Sequence, residues 1–123
     1  MITGCVIAES LRPGAVFDPP GVRIRRIARL DVAASARGSQ PAVWTAIDFA
    51  ADDDAAEAVA ERLAGCLSAE GGWYADFRAG DEHVVVFAGA VFRYRVGDAA
   101  GRAAAVAHGR AAGVPEHQLD WAD

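Results

Sequence analysis

The chain has 123 residues, 17 of them acidic and 12 of them arginine with no lysine, for a net charge of −5. This length predicts one domain over residues 1–123 with its own hydrophobic core, and the negative charge argues against a nucleic-acid-binding protein, which needs a basic surface. No apolar run approaches the ~20 residues of a membrane-spanning helix, and the start lacks a signal-peptide pattern, so we expect a cytoplasmic protein that makes no membrane contact.

Three strands are predicted before the first helix, at about 4–10, 22–32 and 42–50. The second strand stops alternating at Arg26-Ile27, which predicts a bulge or an edge position. Its basic run, Arg23, Arg25, Arg26 and Arg29, has two interpretations: contact with a phosphate or an acidic partner, or, the preferred one, charge that protects a sheet edge from pairing.

The clearest helix is predicted over about 54–69 from an apolar stripe at helical period. Asp54 and Glu57 have the spacing of a capping box at its start, and Gly71-Gly72 follow its end. Cys66 lies on the stripe, so we expect it to be a buried free thiol. The spacing of Cys5 and Cys66 matches no metal site.

Two further strands and a second helix complete the pattern. The fourth strand is predicted at 73–79 and the fifth at about 83–96, with a turn at Gly80-Asp81 and a bulge at Gly89. Asp98 is expected to cap a last helix that runs to about Ala112. After it, Leu119 and Trp121 are expected to pack back onto the domain.

This order of elements predicts an α+β fold: an antiparallel sheet of about five strands with both helices on one face. From residue 42 onward the pattern is typical of the split βαβ unit of ferredoxin-like folds. In that arrangement strands three and four are parallel, strand five lies between them, and the extra strands come from the N-terminus.

A candidate site follows from the alternation of side chains about the turn at Gly80-Asp81. Trp73, Ala75, Phe77, Val84, Val86 and Ala88 are predicted to face the helices. The opposite, uncovered face then mixes aromatic and charged side chains, and its candidate binding residues are Trp44, Asp48, Tyr74, Asp76, Arg78, His83 and Phe87.

Three explanations fit an apolar and charged face of this kind: the N-terminal segment covers it, a second subunit covers it, or it lines a ligand pocket. The preferred hypothesis is a non-enzymatic binding or interaction module that forms a homodimer through this face. The alternative is a small enzyme or ligand sensor in which Arg78 holds an anionic group and Asp76 orients or titrates His83.

No dedicated catalytic, cofactor or metal motif is found in the sequence, so no catalytic residue, cofactor or metal ligand is predicted. Asp52-Asp53-Asp54 stand at a helix start, where the helix dipole favours negative charge, and no histidine accompanies them at ligand spacing. His108 and His117 likewise have no second ligand at metal spacing.

The segments GGWYADF, VVVFAGAVFRYRVGD and GVPEHQLDW give the last two-thirds of the chain its most distinctive pattern. In these segments the chain resembles small actinobacterial proteins of unknown function, and the resemblance implies no activity or site residue. The predicted topology is also similar to that of dimeric α+β barrel proteins, which include monooxygenases and ligand-binding modules. This similarity concerns the fold alone.

Overall fold

The computed structural model describes residues 1–121. The strands are β1 (Ile2–Ile7), β2 (Arg23–Asp31), β3 (Val43–Ala51), β4 (Ala75–Ala79), β5 (Glu82–Phe87) and β6 (Ala90–Arg95). The helices are α1 (Ala56–Cys66) and α2 (Ala99–Ala111), with short 3₁₀ turns at Ala8–Ser10, Asp53–Ala55 and Glu116–Gln118. The fold is therefore α+β, as predicted.

The strands form one antiparallel sheet in the order β2-β3-β1-β4-β5-β6. The predicted place of the fifth strand is wrong, because β1 lies between β3 and β4 and β5 pairs with the other side of β4. Ile2 and Val6 of β1 are almost fully buried, which agrees with a strand that has neighbours on both sides.

The predicted fifth strand is two strands, which makes the sheet six-stranded. The chain turns at Ala88 and Gly89, and Gly89 takes a φ of 72°, a left-handed conformation that favours glycine. The N–H of Gly89 donates to the carbonyl of Ala64 in α1 at 3.0 Å. Gly89 therefore closes a hairpin against the helix instead of forming a bulge.

Helix α1 covers the first face of the sheet, which we define by Val6, Phe49, Phe77 and Val84. Val59 and Leu63 are fully buried against these side chains. The helix is shorter than the predicted 54–69, and no side-chain hydrogen bond caps its start, so the predicted capping box does not form. Glu57 instead pairs with Arg93 of β6, which turns toward the same face.

Helix α2 covers the second, opposite face, so the prediction that both helices share one face is wrong. Its Ala105 packs with Val85, Phe87 and Tyr94. Strand β5 is apolar on both sides, since its residues 84–87 are all buried, and such a strand needs cover on both faces. The predicted cap is confirmed: Asp98 Oδ1 accepts a hydrogen bond from the N–H of Gly101 at 3.1 Å.

The segment after α2 packs back onto the domain, as predicted, and it does so on the second face. Leu119 and Trp121 are buried, and the ring of Trp121 lies 4.9 Å from that of Tyr74. Together with α2, this segment covers the β5–β6 half of the second face. Within residues 1–121, no helix covers the half formed by β3, β1 and β4.

Strand β2 forms one edge of the sheet, as its charge pattern indicates. Its register with β3 shifts between Ile24 and Arg26, so the bulge lies at Arg25, just before the predicted slip. Eight of its nine residues are exposed.

Neither helix within residues 1–121 has the length and apolar character that a membrane span requires.

Candidate functional site

The helix-free half of the second face forms an open groove above β1. Its two compartments have volumes of about 620 and 300 Å³ and meet at Cys5 and Asp76, which line both. We call the larger the arginine compartment, because Arg25, Arg26 and Arg78 line it. We call the smaller the tryptophan compartment, because Trp44 and Trp73 line it.

A hydrogen-bonded chain of three side chains borders the groove. The pairing of β4 with β5 places Arg78 opposite His83, and the pairing of β5 with β6 places Tyr94 on the other side of His83. His83 Nε2 lies 2.7 Å from Asp76 Oδ2, and its Nδ1 lies 3.1 Å from the hydroxyl of Tyr94. The chain therefore runs Asp76–His83–Tyr94 across three strands.

The partners of the imidazole assign its tautomer. A carboxylate only accepts hydrogen bonds, so in neutral His83 the proton sits on Nε2 and Nδ1 accepts from Tyr94. Because His83 is 2% exposed and both its nitrogens are engaged, it does not offer a free base to the groove. Its effect is to hold Asp76, whose side chain remains 35% exposed, in one orientation.

Cys5 lies in the middle of the groove between two carboxylates. The strand register places it opposite Asp48 on one side and Asp76 on the other. Burial, a hydrogen bond with Asp48 and the charges of Asp48 and Asp76 together raise the pKa of the thiol to about 11. The thiol is therefore protonated at neutral pH and is a poor nucleophile there.

The arginine compartment carries more positive than negative charge. Three arginines line it against two carboxylates, Asp48 and Asp76. Both carboxylates already have partners, since Arg26 contacts Asp48 at 3.4 Å and His83 contacts Asp76. In a chain whose net charge is −5, these side chains give the compartment a formal excess of one positive charge, three arginines minus two carboxylates.

The tryptophan compartment combines indole rings with carboxylates. The rings of Trp44 and Trp73 lie 5.1 Å apart at 64°, and the Nε1 of Trp44 donates to the carbonyl of Pro41 at 2.8 Å. Asp76 and Asp120 complete the acidic part of its lining, which contains no arginine among the described residues.

A polar clasp fixes the far wall of the tryptophan compartment. The hydroxyl of Tyr74 donates to the carbonyl of Gln118 at 2.7 Å, and the side chains of Gln118 and Gln40 exchange hydrogen bonds. Burial and the charges of Asp76 and Asp120 raise the pKa of Tyr74 above its usual range, so its phenol stays neutral and donates. The compartment therefore has a preformed wall.

The structure brings six of the seven predicted binding residues to the groove lining: Trp44, Asp48, Tyr74, Asp76, Arg78 and His83. Phe87 does not reach the groove, because it is buried beneath α2 and Trp121. The prediction that the whole second face is uncovered is thus wrong for its β5–β6 half.

Five residues that the site uses were not among the predicted binding residues: Cys5, Arg25, Arg26, Trp73 and Asp120. Trp73 was expected beneath the helices, but β4 begins only at Ala75, so strand alternation does not govern its direction. Cys5 was not recognised because β1 was not placed beside β4. Arg25 and Arg26 were interpreted mainly as protection of a sheet edge, and the structure places both in the groove lining, next to the bulge.

Metal-binding geometry is not found in the groove: the residues that the structure describes contain no group of three or more His, Cys, Asp or Glu side chains arranged to hold a metal ion.

Comparisons with protein-family models, curated proteins and solved structures find no match to this chain.

Proposed function

We propose that this chain is a non-enzymatic binding module that holds a small anionic molecule in the arginine compartment. The observation that carries the proposal is the convergence of Arg25, Arg26 and Arg78 on a concave space of about 620 Å³. Guanidinium groups bind carboxylates and phosphates in a planar, two-bond geometry, so an anionic group is the best match to this lining.

The two carboxylates of the compartment oppose an incoming anion less than their number suggests. Asp48 and Asp76 are each engaged within the site, by Arg26 and by His83, and this engagement reduces their repulsion of an incoming anion. The side chain of Arg25 is exposed and forms no hydrogen bond or ion pair with the described residues. It is therefore able to meet an anion without first breaking a contact.

Binding is favoured over catalysis by the state of the two reactive side chains. The imidazole of His83 is buried with both nitrogens engaged, and the thiol of Cys5 is protonated at neutral pH. Neither group is prepared to take a proton from a substrate or to attack one.

The proposal is tested by thermal unfolding in sodium phosphate and in sodium chloride of equal ionic strength. Phosphate at ten times its dissociation constant stabilises the fold by about 1.4 kcal/mol, which raises Tm by about 4 °C. R25Q is expected to lose most of this rise. The matched control R62Q, which removes an exposed arginine of α1 paired with Asp18, is expected to keep it. Equal behaviour of the two variants would contradict the proposal.

Self-association is the second candidate function, and exposed apolar side chains on β2 favour it. Ile24 and Ile27 are 63% and 60% exposed on the edge strand. By register Ile24 and Ile27 lie opposite Phe49 and Ile47, on the first face, so this apolar surface is separate from the second-face homodimer predicted from the sequence, which could use only the helix-free half of that face. Light scattering at micromolar and millimolar concentration tests it: a rise in mass supports the homodimer, and a constant monomer mass excludes it.

A cytoplasmic location and an actinobacterial origin remain proposals. The two cysteines are both free, which fits a reducing compartment. Arginine as the only basic side chain fits a genome rich in G and C.

A further inference from the structure

The tryptophan compartment differs in chemistry from the arginine compartment beside it. Its lining has two indole rings, Trp44 and Trp73, and two carboxylates, Asp76 and Asp120, and no arginine among the described residues. An aromatic face attracts a cation within about 6 Å of its centre, and a carboxylate adds a direct charge. An anionic group would find no guanidinium group there to pair with.

The two indole rings of this compartment are partly exposed. Trp44 and Trp73 are each only half-buried, and they meet edge to face at 64° instead of stacking in parallel. The Nε1 of Trp44 is occupied by the carbonyl of Pro41, so its N–H is not available to a ligand. Two rings set at a steep angle form a corner of the kind that holds an alkylammonium group.

The spacing of the two compartments sets the length of a ligand that fills both. The arginine compartment lies along Thr3–Cys5, and the tryptophan compartment lies along Cys5–Ile7 of the same strand. The segments of β1 that line them are thus offset by about two residues, or about 7 Å along a β-strand. Asp76 is shared by both and is held by His83, so the boundary between them is fixed.

We propose that the tryptophan compartment binds a cationic ammonium group, and that the ligand of this groove is a zwitterion whose opposite charges lie about 7 Å apart. The anionic half of this inference rests on the proposed function. The cationic half rests on Trp44, Trp73, Asp76 and Asp120 alone.

Four probes separate the two halves. The zwitterion 5-(trimethylammonio)pentanoate carries its charges about 6 Å apart when extended. Pentanoate is the matched anion, pentyltrimethylammonium is the matched cation, and glycine betaine is a zwitterion too short to span the compartments. Binding is measured by calorimetry, and tryptophan fluorescence reports contact with the indole rings.

The long zwitterion is expected to bind about tenfold more tightly than pentanoate, pentyltrimethylammonium or glycine betaine. Relative to pentanoate, this gain corresponds to one cation–π contact assisted by a carboxylate. W44L is expected to reduce its affinity to that of pentanoate. Since W44L also removes packing area, D120N serves as a milder variant and is expected to reduce the affinity for the zwitterion a few-fold. The matched control D54N lies in the 3₁₀ turn before α1 and is expected to change nothing.

The outcomes distinguish the two proposals. If pentanoate and phosphate bind but the trimethylammonium group adds no affinity, the cation site is overturned and the proposed function stands. If pentyltrimethylammonium binds and D120N weakens it while neither anion binds, the cation site is supported and the proposed function is overturned. If none of the four probes binds, both are overturned.

Discussion

The imidazole of His83 and the carboxylate of Asp76 are joined by a 2.7 Å hydrogen bond between neighbouring strands. One partner is buried and the other is 35% exposed, so the bond fixes a groove-lining carboxylate from inside the sheet. The hydroxyl of Tyr94 holds the other nitrogen of the ring. Orientation of Asp76 is therefore determined by two side chains that are almost fully buried in the sheet.

Replacement of His83 by leucine is expected to lower the free energy of unfolding by about 2–3 kcal/mol. The variant removes two hydrogen bonds, one of them to a charged group, from a site that is 2% exposed. Urea unfolding measures the change. H117A, at a histidine exposed to solvent, is the control and is expected to cost less than about 1 kcal/mol. Equal losses for the two variants would contradict the role assigned to His83.

Cys5 is expected to react about a hundredfold more slowly with a thiol reagent at pH 8 than an ordinary exposed cysteine. Its pKa of about 11, against the usual 9.0, leaves correspondingly less thiolate at that pH. D48N removes both a hydrogen-bond partner and a negative charge, so the pKa is expected to fall and the reaction to accelerate. The rates are measured in a C66A background, which leaves one thiol. A rate unchanged by D48N would show that Asp48 does not raise the pKa.

Glu9 is expected to make the fold sensitive to acid. Burial alone would raise the pKa of Glu9, but hydrogen bonds from the N–H and the hydroxyl of Thr45, at 2.6 and 2.9 Å, outweigh it and lower the pKa below 4.5. A lowered pKa contributes stability above the unfolded value, and this stability is lost as the pH falls through the folded value.

The free energy of unfolding of the variant E9Q is therefore expected to be about 1–2 kcal/mol lower than that of the wild type at pH 7. Its dependence on pH below 4.5 is expected to be flatter. Thermal unfolding between pH 3 and 7 measures both effects. A wild-type Tm that falls no more steeply than that of E9Q would show that the contact carries no pH-dependent stability.

Two helical glycines are expected to respond in opposite ways to alanine. A Cβ at Gly101 of α2 would lie 2.4 Å from Cβ of Tyr94, whereas a Cβ at Gly65 of α1 would meet no atom within 4 Å. G65A is expected to stabilise the fold by about 0.5–1 kcal/mol through helix propensity. G101A is expected to destabilise it by about 1–3 kcal/mol, because α2 must move off the sheet. Stabilisation by both variants would mean that α2 does not lie close to Tyr94.

The local parts of the fold were predictable from the sequence. The turn at Gly80-Asp81 was predicted, and the strand register about it, in which Arg78 lies opposite His83, agrees with that turn. The apolar stripe of α1 and the Asp98 cap are local signals as well, since each depends on residues within a few positions of one another.

The long-range arrangement was not predictable in the same way. Placement of β1 between β3 and β4 depends on contacts across tens of residues, and no local pattern specifies it. The turn at Ala88-Gly89 has none of the Asn-Gly or Asp-Gly chemistry that marks most two-residue hairpins.

A run of apolar residues in the predicted fifth strand bears directly on the site. The run of apolar residues at 84–87 is typical of a strand buried on both faces, and it could have predicted that the second helix covers the second face. That placement would have excluded Phe87 from the candidate site and limited the groove to β3, β1 and β4.

Binding of an anion above β1 is tested most directly by recording ¹⁵N–¹H correlation spectra during a titration with sodium phosphate at constant ionic strength. The proposed function predicts saturable shifts concentrated at the amides of Thr3, Cys5, Arg25 and Arg78. Shifts that do not saturate, or that occur equally at distant exposed arginines such as Arg62 and Arg110, would contradict it.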